Sequence, residues 1–126
     1  MAKWANDNMM DAGLDYVRAN CNTMIVCSAQ PTTYAEATST YALADVAMTI
    51  NTGDYTLANG DTNGRKITVA AKTGVTIDTS GTATHVALVK SGDSTLRYVT
   101  TCTSQALTAG GTVDFPAWDI EIADPA

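Results

Sequence analysis

From about residue 65 onward, Thr, Val, Ile and Ala recur on alternate positions, and Gly, Asn, Asp and Ser break the pattern at short intervals. A period of two belongs to strands with one buried and one wet face. Residues 66–71 place Ile67, Val69 and Ala71 on one face, and Val75 and Ile77 share a further short strand. Residues 83–89 are apolar enough for a central strand. In 94–102, Leu96, Tyr98, Thr100 and Cys102 alternate with Arg97, Val99 and Thr101. Residues 112–115 and 118–123 close the chain, with Trp118, Ile120 and Ile122 facing in and Asp119 and Glu121 facing out. Pro116 separates these two strands and belongs at an edge or bend. Turns are expected at 59–64, 78–81, 91–93 and 109–111.

The first half is less regular. Asn6 or Asp7 can cap a helix running to about Ala19, with Asp11 early and Arg18 late, both favourable to the helix dipole. Met10, Leu14 and Val17, with Met9 and Tyr16 beside them, follow helical spacing; such a stripe packs on the β domain unless its face is left open. Residues 23–27 form an almost wholly apolar strand, expected to be buried on both faces. Residues 28–40 read as a long loop carrying Tyr34, with Tyr41 beside it, and 42–50 fit either a helical turn or a strand. Seven or eight short strands favour two layers, because a single sheet would leave one apolar face in water. The expected fold is all-β: a two-layer antiparallel β-sandwich, jelly-roll-like, with a short N-terminal helix. Residues 1–22 form the arm and helix, and 23–126 a single sandwich domain.

Composition narrows the function. The chain has 126 residues, of which 45% are hydrophobic and 16% charged. The charged share is well below the usual level of roughly 25%, so Thr, Ser, Asn and Gly must supply much of the polar surface. Neutral surfaces of this kind suit assembly, since charges are depleted at interface cores. A formal charge of −6, with seven scattered basic residues, argues against nucleic acid or an anionic membrane as partner. Neither a signal-peptide pattern nor an apolar run of membrane-spanning length is present. Cys21, Cys27 and Cys102 lack zinc-site spacing and read as reduced thiols of a protein made in a cytosol.

No residue pattern points to catalysis. His85 is the only histidine and lies within an apolar strand, where a structural role is expected. Asp119 and Glu121 share the outer face of the last strand and read as a solvated face. The Asp and Asn residues at 59–63 match no calcium loop and read as turn formers. No cofactor or metal is expected. Trp4 stands out as a large aromatic on a polar arm.

The phrases AQPTTYAEA at 29–37, GRKITVAA at 64–71, SGTATHVALV at 80–89, LRYVTTCTSQALTAGGTV at 96–113 and PAWDIEIADP at 116–125 resemble small virion structural proteins of tailed bacteriophages. In particular the chain is similar to jelly-roll head decoration, or cement, proteins. The resemblance covers nearly the whole chain and includes no catalytic motif. It implies a non-enzymatic protein made in the host bacterial cytoplasm and bound to the capsid exterior of the virion. Its partner would be the major capsid protein, and it would act as a homo-oligomer, a dimer or trimer, gaining avidity from many linked contacts. Trp4, Met9 and Met10 on the arm and helix, and Tyr34 and Tyr41 on the loop, are the expected contact residues. A phage tail or fibre component, or a carbohydrate-binding β-sandwich module using Tyr34, Tyr41, Tyr55 and Asn59, is the alternative.

Overall fold

The computed structural model describes residues 6–51 and 53–123. Helix α1 spans Asp7–Asn20, and the Asn6 side chain accepts the Asn8 amide at its N-terminus. Nine strands follow among the described residues: β1 Thr23–Cys27, β2 Ala42–Ala47, β3 Tyr55–Asn59, β4 Arg65–Val69, β5 Lys72–Thr76, β6 Gly81–Lys90, β7 Thr95–Leu107, β8 Thr112–Phe115 and β9 Trp118–Ile122. They pair antiparallel in three sheets, β2-β1-β6-β7, β3-β4-β9 and β5-β8. The fold is an all-β sandwich with a short N-terminal helix.

The second half explains the winding. β6 pairs with β7, β5 with β8, and β4 with β9. These three pairs are nested, so residues 65–122 form one long antiparallel ribbon. The ribbon starts in the three-stranded sheet, crosses at β5 and β8, and ends in the four-stranded sheet. Such folding of a ribbon across two layers is the jelly-roll-like element of the architecture. β1 and β2 then add to β6, and β3 adds to β4.

Between the layers lies the main core. Met24, Val26, Val86 and Leu88 face Tyr55, Ile67, Val69 and Ile120, with Val75 and Phe115 from the crossing strands. Leu14 of α1 joins this core, and Met10 is buried beside it. The helix is fixed to β4 by Asp11, whose carboxylate accepts from Arg65 Nε at 2.8 Å. Met9 and Tyr16, in contrast, point outward at 73% and 53% exposure. β1 is buried on both faces, as its apolar run implies. Its second face, with Ile25, Cys27, Ala87 and Val89, lies under the loop of residues 28–41.

Three expectations need correction. Residues 55–59 were not anticipated as a strand, yet β3 buries Tyr55 and pairs along β4. Ala71 lies beyond the end of β4 and is exposed. The simple alternation in β7 fails: Leu96 packs with Val99 on the loop side, whereas Tyr98 and Cys102 pack into the main core. The cause is a bulge. Leu88 lies opposite Tyr98 and Val89 opposite Leu96, so Arg97 is the extra residue and the side-chain phase shifts past it.

Candidate docking surfaces

The loop of residues 28–41 is more ordered than its composition suggests. A π-helical turn, Glu36–Thr40, closes with the Tyr41 amide donating to the Glu36 carbonyl at 2.8 Å. Thr33 Oγ1 accepts the Glu36 amide, and Glu36 Oε1 accepts from both the amide and the hydroxyl of Thr32. The Thr33-x-x-Glu36 spacing is that of a capping box, a signal readable in the sequence. These bonds, the Thr32 hydroxyl first, hold the Glu36 carboxyl below its ordinary range.

Tyr34 and Tyr41 are half-buried against the Ile25, Cys27 and Val89 face, so both anchor the loop as well as border its surface. A shallow bowl of about 230 Å³ opens beside Tyr34, with Thr38, Asp45, Thr23 and Ser91 around it and Ile25 and Val89 lining it. Met9 is exposed at the start of α1 and packs into neither cluster of buried residues. Met10 is only 5% exposed, because its side chain packs beneath the helix; the open helix face needed for a contact role is absent at this position. Trp4 lies outside the described residues. The structure therefore places Tyr34 and Tyr41 against one apolar face, a cluster that does not include Met9. The sugar-binding quartet does not converge: Tyr55 is a core residue, and Asn59 Oδ1 accepts from Arg65.

A second surface was not visible in the sequence. Along one side of the sandwich, the edge strand β7 runs near the β8–β9 connection without pairing to it. The space between them is an apolar groove with two lobes of about 220 and 310 Å³. Val86, Cys102, Phe115 and Pro116 line both lobes, and Trp118 stacks on Tyr98 at one end, ring centroids 5.9 Å apart. Residues so distant in sequence meet only because the ribbon folds over.

The groups considered for chemistry are engaged otherwise. His85 lies opposite Cys27 on the β1–β6 ladder, the arrangement a thiol–imidazole pair would need. Cys27, however, is fully buried, and burial pushes its thiol up to about 11, the reverse of an activated nucleophile. His85 Nδ1 instead meets Thr84 Oγ1 at 2.8 Å. In the 59–64 turn, Asp61 Oδ1 accepts from Lys66 and the Gly60 amide donates to the Gly64 carbonyl. Asp119 accepts from Lys66 and Thr68, and Glu121 accepts the Asp61 amide. Lys66 thereby ties two acidic side chains to the outer face of the three-stranded sheet, and the hydrogen bond it donates to Asp61 contributes most to holding its ammonium above the ordinary value. Among the described residues, no group of three His, Cys, Asp or Glu side chains is placed to hold a metal ion, and no helix is long and apolar enough to cross a membrane.

Comparison of the chain with protein-family models, with curated proteins and with solved structures yields no match.

Proposed function

We propose that the chain is a non-enzymatic virion structural protein of a tailed bacteriophage, a decoration protein that binds the outer surface of the major capsid protein shell and stabilises it. It would be made in the host bacterial cytoplasm and reside on the capsid exterior, as a homo-oligomer. The observation that carries this reading is the character of the surface. A well-packed sandwich presents a strand edge that is uncharged from Tyr98 to Leu107, beside a mostly apolar groove with only Asp114 and Asp119 as charged lining residues. Such a body suits adhesion to a protein lattice, because neutral surface can be covered without desolvating charge. The phrase-level resemblance to cement proteins points the same way. Met9, Tyr34, Tyr41 and Trp4 are the proposed shell contacts; Met10 would act only by seating the helix.

The test is co-sedimentation of purified protein with capsids lacking it. Saturable binding at a fixed ratio to the major capsid protein is the expected result. Failure to bind every shell form would remove the assignment. Tyr34→Ala should lower shell occupancy with the fold intact, and normal occupancy would exclude the loop as the contact.

A second reading, a carbohydrate-binding module on a tail or fibre, draws support from the bowl at Tyr34. An aromatic ring beside hydroxyls and the Asp45 carboxyl is a combination that can hold a sugar. Glycan-array binding that Asp45→Asn abolishes would favour it over the shell.

A further inference from the structure

One side of the sandwich is left open between two strand edges. β7 is outermost in the four-stranded sheet and β9 in the three-stranded sheet, and residues of both line the second lobe of the groove. An unpaired edge offers a row of backbone N–H and C=O groups to an added strand. Native edges are commonly blunted by brevity, lysine, proline or charge. β9 follows that rule, with five residues that include Asp119 and Glu121. β7 does not. It has thirteen residues, and from Tyr98 to Leu107 it carries no charge and no proline. Thr101, Thr103, Ser104 and Gln105 are exposed along it. Arg97, its one charge, is bonded to Asp93 at 2.7 Å and lies over the Tyr16 ring.

The edge, the groove and the charge each restrict what can fill this gap. The β7 edge requires extended backbone. A strand added there turns alternate side chains inward, toward lobes of about 220 and 310 Å³ that share Val86, Cys102, Phe115 and Pro116. Its inward side chains must therefore be apolar and two residues apart. Asp114 and Asp119 are the only charged residues lining the lobes, and no Lys, Arg or His lines either. Asp119 shares Lys66 with Asp61. Asp114 accepts the Gly74 amide at 2.8 Å and has no ion-pair partner among the described residues. With a formal −6 on the chain, this mouth attracts a cationic segment and repels a second copy, which would bring the same charges to it. We infer that the gap takes an extended segment of another protein, apolar at alternate positions, with Lys or Arg beside them. The segment pairs with β7, its apolar side chains fill the two lobes, and its cation meets Asp114. This contact is separate from those proposed at Tyr34 and Tyr41. It does not rest on the shell-binding reading and holds whichever protein supplies the segment.

Peptide binding to the full chain tests this without any capsid, so its failure leaves shell binding to be judged separately. The probe is a capped peptide in which valine alternates with threonine and a lysine stands at each end. It should protect backbone amides within 98–105 from hydrogen exchange. Cys102 lines both lobes, so its labelling by N-ethylmaleimide should slow about fivefold once the peptide reaches about four times its Kd. Glutamate in place of lysine should weaken binding about tenfold, and serine in place of valine should abolish it. Asp114→Asn keeps an oxygen to accept the Gly74 amide. It should weaken binding of the lysine peptide about two- to fivefold and leave that of a glutamine-ended peptide unchanged. A lysine peptide that leaves Cys102 and the 98–105 amides unchanged up to its solubility limit would overturn the inference. Equal binding by the glutamate peptide, or binding that survives serine, would do the same. So would protection at 98–105 that rises with protein concentration alone, since a second copy would then be the occupant. The peptide comparisons use the unsubstituted chain, so misfolding of Asp114→Asn cannot obscure them.

Discussion

Replacing Tyr55 with phenylalanine removes one oxygen from the centre of the molecule and leaves the ring in place. Tyr55 is 1% exposed, and its hydroxyl donates to the Cys21 carbonyl at 2.6 Å. That bond ties the three-stranded sheet to the joint between α1 and β1, residues 34 positions apart in the chain. Burial pushes the phenol well above its ordinary value, consistent with a hydroxyl that stays protonated as a donor. A neutral hydrogen bond contributes about 0.5–1.5 kcal/mol net, and a buried acceptor left without its donor costs about 1–3 kcal/mol. Because the Cys21 side of this contact is fully buried, the upper part of the range applies, and Tyr55→Phe should destabilise by about 2 kcal/mol. With a urea m-value of about 2 kcal/mol/M, the unfolding midpoint falls by about 1 M at unchanged m. Tyr55→Ala also loses the ring and should cost about 3–5 kcal/mol. Urea unfolding followed by circular dichroism measures both. In alkaline titration, the wild type should show a tyrosine that ionises only on unfolding, and Tyr55→Phe should lack it. A phenylalanine variant whose midpoint stays within about 0.2 M of wild type, a difference below about 0.5 kcal/mol, would refute the reasoning, since the joint would then be held by packing alone.

Partial burial, then the hydrogen bond and charge of Asp78, hold the Asp45 carboxyl above its ordinary value. A raised folded-state value favours the fold below the unfolded value of about 3.9, and this contribution is lost as pH rises through the folded value. Asp45→Asn should therefore melt slightly higher than wild type at pH 7 and equal to it near pH 3, as read by thermal unfolding at both pH values. Cys21 and Cys27 are fully buried, with burial pushing both thiols up to about 11. Under native conditions a maleimide should label the half-buried Cys102 first, and labelling of the other two should track global unfolding in mass spectrometry. Gly64 has φ +73°, and a Cβ there would lie 2.0 Å from the Ile122 carbonyl oxygen; Gly74 has φ +64° with nothing within 4 Å. Gly74→Ala should cost only the left-handed penalty of about 1–2 kcal/mol, and Gly64→Ala measurably more. Equal midpoints for the two glycine variants would show that the β4–β9 contact yields without cost.

The nested ribbon carries covalent continuity from one layer to the other through β5 and β8. Asp11 with Arg65, and Tyr55 with Cys21, brace the helix and the first strand against that frame. A body connected in this way can transmit force across its width, which is the demand that shell decoration would place on it.

By itself the sequence determined the elements whose pattern is local. Apolar periodicity located the helix and most strands, since burying one face is a requirement each segment meets alone. The Ser91-Gly92-Asp93 turn joined β6 to β7 as expected, and the continuous apolar run in β1 implied burial on two sides. Where polar and apolar residues mix in short strands, as in Tyr55-Thr56-Leu57-Ala58-Asn59, pairing with β4 settled the conformation. The phase of β7 could not be read either, because a bulge depends on the partner strand and leaves no periodic trace. Met10 and Met9 are neighbours in sequence, yet only the docking of α1 on the sheets buried one and exposed the other. The groove and the free β7 edge belong wholly to tertiary structure. Val86, Cys102, Phe115 and Trp118 meet, and β7 is left outermost, only after the ribbon has crossed from one layer to the other.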